Sequence, residues 1–264
     1  MKEIAIIGST ASGKTALSLE IANKTNSIIL SLDSLCVYKE IEIASAKPTL
    51  EERGDIIHFG IDEVFPNVEF DVIKFIELYK KAKEYAFKND KNLIIVGGTG
   101  FYLKALIDGL SQGIETKIKL DIPQEDAYDL LYKIDKEYME KIEKNDRYRI
   151  EKAYAIYKQT SLGPTQYFQK NPKIAVAKDL KIFEILWDKE ELKNRILKRT
   201  KIMINSGIID EVIFLEKKYT REPNCMSSIG IIETLEYLDG KLTKQELEEK
   251  ISANTAKLAK RQNT

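Results

Sequence analysis

Ile4-Ala5-Ile6-Ile7-Gly8-Ser9-Thr10-Ala11-Ser12-Gly13-Lys14-Thr15-Ala16-Leu17 is the stretch that decides the fold. Ile4 to Ile7 is a short apolar run ending at Gly8, the pattern of a buried parallel strand. Ala16 to Ile21 carries helix formers, with Leu17, Leu19 and Ile21 apolar. Between them, Gly8 to Thr15 fits the Gly-x-x-x-x-Gly-Lys-Ser/Thr phosphate loop in the strand–loop–helix setting it requires. Gly8 and Gly13 let the backbone curl so that consecutive N–H groups face one anion, and the following helix adds its positive end. Lys14 brings a mobile point charge, and the Thr15 hydroxyl can complete a magnesium shell. The motif predicts a bound phosphate rather than a Gly/Ser-rich turn that merely caps a helix. It does not encode which phosphate.

Outward from the loop, Ser27 to Leu32 is a second apolar run, ending at Asp33-Ser34. Ligands of open parallel sheets sit beyond the carboxyl ends of the strands, so Asp33 is placed to face the anion. A carboxylate there can take a proton, hold magnesium through water, or cap the next turn. Ala44-Ser45-Ala46-Lys47-Pro48 is a polar loop that Pro48 stiffens, and Lys47 taken alone reads as solvated surface. His58 lies in an expected short strand, Ile56 to Asp62, and alone reads as a hydrogen-bonded structural histidine before a ligand. Asp71 is placed to cap a helix whose face is Ile73, Ile76, Leu78, Tyr79 and Ala82.

Asn92 to Val96 is another parallel-strand run, followed by Gly97-Gly98-Thr99-Gly100 and a helix from about Phe101. This second glycine turn should lie beside the first loop. The strand ends in glycine where many P-loop ATPases place a magnesium-binding aspartate, which argues against ATP hydrolysis. Thr99 can donate to a phosphate oxygen or serve as a local cap.

Composition narrows the class. The 264 residues are 43% apolar and 32% charged, enough for a large core and unlike a disordered chain or a membrane bundle. No apolar run has transmembrane length, and the stretch after Met1 begins Lys2-Glu3 and reads as a strand, not a secretory leader. Cys36 and Cys225 form no CxxC and allow at most one bridge, so the expected compartment is the cytoplasm. One histidine leaves little room for a His-rich metal site or a His-based triad. The formal charge is +0, from 42 basic and 42 acidic residues, unlike a strongly basic nucleic-acid binder. Balance still permits a nucleic-acid partner where charge is segregated along the fold.

The texture changes after Gly109. Gln124 to Glu143 is charged and tyrosine-rich, with Ala127, Leu130, Leu131, Ile134, Tyr138 and Ile142 spaced as one helical face. Asn145-Asp146 breaks it, Arg147 to Thr160 resumes it, and Gly163-Pro164 ends it. Residues 118–171 therefore read as a helical insertion in an α/β core of residues 1–117 and 172–264. Arg147, Arg149 and Lys152 with Tyr148, Tyr154 and Tyr157 suit a nucleic-acid backbone and an unstacked base, or equally a solvated face over a small core. Leu180 to Leu186 returns as a strand. Glu190 to Asn205 is a cation-rich helix closing near Gly207, and a shorter one runs from Ile208 to about Lys217. Thr243-x-x-Glu246 has capping-box form and opens a last helix with Leu247, Ile251 and Leu258 inward.

In this order the segments resemble the tRNA dimethylallyltransferase family over nearly the whole length. Gly8 to Thr15 is similar to its Gly-Pro-Thr-Ala-Ser-Gly-Lys-Thr loop. Asp33-Ser34 with Tyr38, then Ala44 to Pro48, resemble its Asp-Ser…Tyr…Gly-Thr-Ala-Lys-Pro block. His58 to Asp62, Phe70-Asp71 with Phe75, and Val96 to Tyr102 follow its next signatures. Asp146 with Arg149, Arg195-Ile196, Arg199, Met203, Gly207, Glu211-Val212, Gly230 with Glu233, and Ala259 to Gln262 fall at its spacing. Ser9, Ala44, Lys152 and Ile231 replace its proline, glycine, arginine and tyrosine; Lys152 keeps the charge without the bidentate fork.

The resemblance implies a P-loop NTPase-like parallel sheet flanked by helices, with a small helical insertion. It implies transfer of a dimethylallyl group from dimethylallyl diphosphate to N6 of adenosine 37 beside the tRNA anticodon, in a cytoplasmic enzyme using Mg2+ and by default a monomer. Gly8, Ser9, Thr10, Ala11, Ser12, Gly13, Lys14, Thr15 and Thr99 would bind diphosphate, with the metal on Thr15. Asp33 would accept the amine proton, Thr10 would steady that site or the diphosphate, and Lys14 would meet the charge of the leaving group. Asp33, Ser34, Leu35 and Cys36 would meet the extruded base. Tyr148, Arg149, Ile150, Glu151 and Lys152 would hold the anticodon stem-loop. A small-molecule or nucleoside monophosphate kinase with the insertion as lid, or a non-catalytic RNA or nucleotide sensor, would use the same loop differently.

Overall fold

A computed structural model of the chain describes residues 1–98, 100–111 and 120–262. Five strands, β1 (Glu3–Gly8), β2 (Ser27–Ser31), β3 (His58–Phe59), β4 (Asn92–Gly97) and β5 (Lys181–Ile185), form one sheet in the order β3-β2-β4-β1-β5. Every pairing is parallel, and the expected P-loop NTPase-like α/β sheet is present. β2 is buried at every position and β4 at all but its first, as strands covered on both faces must be. The strand expected over Ile56 to Asp62 shrinks to two residues, because Gly60 and Asp62 take positive φ values of 80° and 58° that end the extended run.

Register levels the functional ends. Ile7 pairs with Gly97 and Ser31 with Val96, so β1, β2 and β4 stop at one edge and their following loops converge there. Gly97 is dictated by that packing. A Cβ on it would lie 2.6 Å from the Cβ of Leu32, inside any real contact.

Helices α1 (Lys14–Thr25), α2 (Leu50–Arg53), α3 (Val72–Lys88) and α4 (Gly100–Asp108) follow strands β1 to β4, α2 and α3 lying on either side of β3. Asp71 caps α3 as expected, accepting the N–H groups of Ile73 at 3.0 Å and Lys74 at 2.9 Å. Next in the chain come α5 (Gln124–Ile134), α6 (Lys136–Met139), α7 (Arg147–Thr160) and α8 (Pro164–Lys170). After β5 come α9 (Lys189–Asn205), α10 (Ile208–Tyr219), α11 (Ile231–Leu238) and α12 (Lys244–Gln262). The Thr243–Glu246 capping box opens α12, with reciprocal bonds of 2.7 and 3.2 Å.

The chain divides into two compact units, residues 1–104 with 177–264, and residues 105–176. The sequence-based boundary at 117/118 lies outside the described residues. In the first unit a core beside the sheet joins Val37, Tyr38 and Ile41 to Ile208, Val212, Leu215, Ile231 and Leu247. In the second unit Ala127, Leu131, Met139, Ile150, Ala153 and Tyr154 form a core of their own.

Two expectations for that unit are corrected. The helix read over Gln124 to Glu143 is broken at Asp135, which ends α5 and caps α6 through Tyr138 N–H at 3.1 Å. The same carboxylate takes the Thr165 N–H at 2.6 Å and hydroxyl at 2.9 Å, so the break is fixed by a partner far along the chain. Gly163-Pro164 does not end the helical stretch. Pro164 stands at the first position of α8, where its missing N–H costs nothing. Among the described residues no helix is long and apolar enough to cross a membrane.

Candidate active site

The converging loops open onto a cavity of about 590 Å³ in the first unit. Gly13 leads into α1 with a φ of 88°, and Ala11 before it is also left-handed at 63°. This curl places the free N–H groups of the first turn of α1 at the cavity. Lys14 folds back over the loop, its ammonium donating to the Ser9 carbonyl at 2.6 Å and to the Ser12 hydroxyl at 3.4 Å. Burial lowers its pKa to about 8; the Asp33 charge opposes that shift and the Arg199 charge adds to it.

The loop is held by side chains from the C-terminal half of the chain. Trp187 donates its indole N–H to the Ser12 carbonyl at 2.8 Å, and Arg195 Nε donates to the Ala11 carbonyl at 2.7 Å. Arg199 Nη1 donates to the Thr10 hydroxyl at 3.1 Å. Gln262 accepts the Thr10 N–H at 2.8 Å and donates to the Gly98 carbonyl at 3.0 Å, tying the two glycine turns together. Sequence reasoning listed Arg195, Arg199 and Gln262 only by spacing and missed Trp187. A lone tryptophan in a charged helix start was the available signal.

Asp33 lines the cavity with Lys14 and Arg199. Its Oδ1 caps the next turn, accepting the N–H groups of Leu35 at 2.8 Å and Cys36 at 3.4 Å. Oδ2 has no hydrogen-bond partner among the described residues. Both readings of this carboxylate thus meet in one side chain, one oxygen fixing the turn and the other available. The Cys36 thiol, buried at the wall, is pushed well above its ordinary pKa, by burial first and then by the Asp33 charge.

The fold brings Thr10, Ala11, Ser12, Gly13, Lys14, Thr15, Asp33 and Cys36 around one space. Gly8, the buried Ser9, Ser34 and Leu35 lie outside this lining. Thr99 lies outside the described residues. Lys47 reverses its sequence reading. Its side chain is fully buried, bonded to Asp62, to Glu42 at 2.9 Å and to the Tyr38 carbonyl at 3.1 Å. That network holds the Ser45–Pro48 loop, which lines the cavity. His58 donates from Nδ1 to the Ile56 carbonyl at 2.8 Å, and burial lowers its pKa, so it stands as a neutral structural imidazole at the cavity wall.

In the second unit, Asp146 caps α7 through Arg149 N–H at 3.0 Å and pairs with the Arg149 guanidinium at 3.2 Å. Tyr148 is 68% exposed, with the Lys152 ammonium 5.1 Å from its ring centroid. Glu151 pairs with Arg147 at 2.8 Å. Ile150 is fully buried in the unit's core, so it supports the helix and offers no surface of its own.

Residues 36–264 match the family model described as IPP transferase. The chain is 82% identical over 264 residues to the tRNA dimethylallyltransferase of Aliarcobacter butzleri (strain RM4018), covering all of this chain and 91% of that protein. It is 52% identical over 272 residues to that of Sulfurimonas denitrificans (strain ATCC 33889 / DSM 1251), with the same coverage of 100% and 91%. Among solved structures it is similar to a eukaryotic dimethylallyltransferase acting on tRNA, with TM-score 0.87 and 29% identity over 99% of this chain and 68% of that one. It is also similar to a tRNA delta(2)-isopentenylpyrophosphate transferase from Staphylococcus epidermidis, with TM-score 0.71 and 31% identity over 98% and 88%.

Proposed function

We propose that this chain, which belongs to the IPP transferase family, transfers a dimethylallyl group from dimethylallyl diphosphate to N6 of adenosine 37 beside the tRNA anticodon. The observation that carries the reading is the meeting of an anion cradle and an available carboxylate oxygen, that of Asp33, in one cavity. In the reaction the bond from the allylic carbon to the diphosphate oxygen breaks, and a bond from that carbon to N6 forms. The departing diphosphate keeps the electron pair, and the proton leaving N6 goes to Asp33.

The N–H groups at the head of α1, with Lys14 and Arg199, face the charge that develops on the leaving group. Leu19, Ile29, Ile61 and Val96 give the same cavity apolar lining suited to a five-carbon chain. Two substrates held in this geometry react as one unit, which itself lowers the barrier. The adenosine must leave the anticodon stack to arrive, at a cost of a few kcal/mol. On α7, Arg149 and Lys152 are suited to the loop's phosphates and Tyr148 to an unstacked base.

Magnesium fits this donor set. It keeps most of its water and takes one or two protein oxygens beside substrate phosphate. Thr15, exposed on the first turn of α1, supplies such an oxygen, and among the described residues no cluster of three His, Cys, Asp or Glu side chains forms a dedicated cage. When bound, the ion would offset charge on the diphosphate.

The test is transfer of radiolabelled dimethylallyl diphosphate to unmodified tRNA with magnesium. Label mapped to the adenosine beside the anticodon, and lost in Asp33→Ala, is the expected result. ATP turnover without label on tRNA would overturn it.

A further inference from the structure

We infer that Trp187, the chain's only tryptophan, is a positioning residue for diphosphate, acting through the Ser12 carbonyl to aim the Gly13 N–H into the cradle. In a trans peptide the C=O and N–H point opposite ways. Holding the Ser12 oxygen outward, at 2.8 Å from the indole nitrogen, therefore turns the Gly13 N–H inward.

The loop needs such holding. Ala11 at φ 63° occupies the left-handed region, where a residue with a Cβ is strained. A strained conformation persists only where its surroundings over-determine it. Here two adjacent carbonyls, of Ala11 and Ser12, are taken by Arg195 and Trp187. Those two side chains brace each other, with the guanidinium carbon 4.3 Å from the indole centroid. The indole also packs in a small cluster with Leu192, Ile196 and Ala259, so α9 and α12 fix it rigidly. The cradle is thereby preformed before the anion arrives, and binding spends less on ordering the loop.

This inference rests on the proposed function only for the identity of the anion. The probe is inorganic diphosphate with magnesium, measured by calorimetry on the full chain without tRNA. Trp187→Phe keeps a ring beneath Arg195 and removes only the N–H. It should weaken diphosphate about fivefold, the worth of one hydrogen bond, and raise the KM for the prenyl donor while leaving the KM for tRNA unchanged. Leu215→Ala hollows a separate core that holds neither Trp187 nor Arg195, so it should lower the melting temperature without weakening diphosphate. Unchanged affinity in Trp187→Phe, or equal weakening in both variants, would overturn the inference. Failure of the unaltered chain to bind diphosphate at all would instead overturn the proposed function beneath it.

Discussion

The Glu211 carboxylate receives the Ala44 N–H at 2.9 Å, and with it the N–H groups of Ile43 and Glu42 at 2.8 and 2.7 Å. One side chain of α10 thus fixes the bend that carries Ser45 to Pro48 into the cavity wall. Hydrogen bonds to a charged acceptor are about twice as strong as neutral ones. Glu211→Gln sets an amide NH2 against backbone N–H groups and should lower the unfolding free energy by about 1–3 kcal/mol. Urea denaturation measures it, and an unchanged midpoint would mean that Lys47 alone secures the loop.

Asp33→Asn separates the two tasks of that residue. The amide oxygen still accepts from Leu35 N–H, so the turn should survive, but the proposed base is gone. Turnover should fall by about 10²–10⁴ with the KM for the prenyl donor nearly constant. A comparable rise in KM would show that the carboxylate mainly builds the turn.

Lys14 gives the site a pH dependence with a definite sign. Its lowered pKa, about 8, means that the empty cradle loses a charge above that pH. A bound anion favours the protonated form, so binding above pH 8 takes up a proton and weakens as pH rises. Below about pH 7 the Lys14 charge is essentially complete and adds no pH dependence of its own. Calorimetry in two buffers of different ionisation enthalpy reads the uptake, and none at pH 8.5 would contradict the assignment.

Arg149→Ala should remove about one phosphate contact. The slope of log affinity for tRNA against log salt would then fall by about 1, with weakening spread evenly over tRNA sequences. A slope identical to that of the unaltered chain would place the RNA backbone elsewhere on the protein.

The parts of the molecule that sequence made legible are those built from local chemistry. The Gly8–Thr15 loop, the β2 and β4 runs, the Asp71 cap and the Thr243–Glu246 box each depend on residues within a few positions. Contacts between distant segments were opaque. Gln262 reaches Thr10 across 252 positions, and Trp187 reaches Ser12 across 175. Periodicity can mark either as belonging to a helix or its start, but not which carbonyl it will meet. Lys47 misled for the same reason. Its burial depends on Asp62 and Glu42 closing over it, a fact of the folded loop and not of the loop's composition.

The steric fit of Gly97 against Leu32 constrains what this scaffold can become. Any side chain at the end of β4 must push Leu32, and Leu32 immediately precedes Asp33. An aspartate at 97 and a well-placed carboxylate at 33 are therefore alternatives on this backbone. A designer wanting a side chain at 97 would have to move Leu32, and with it the approach to Asp33, before changing the residue.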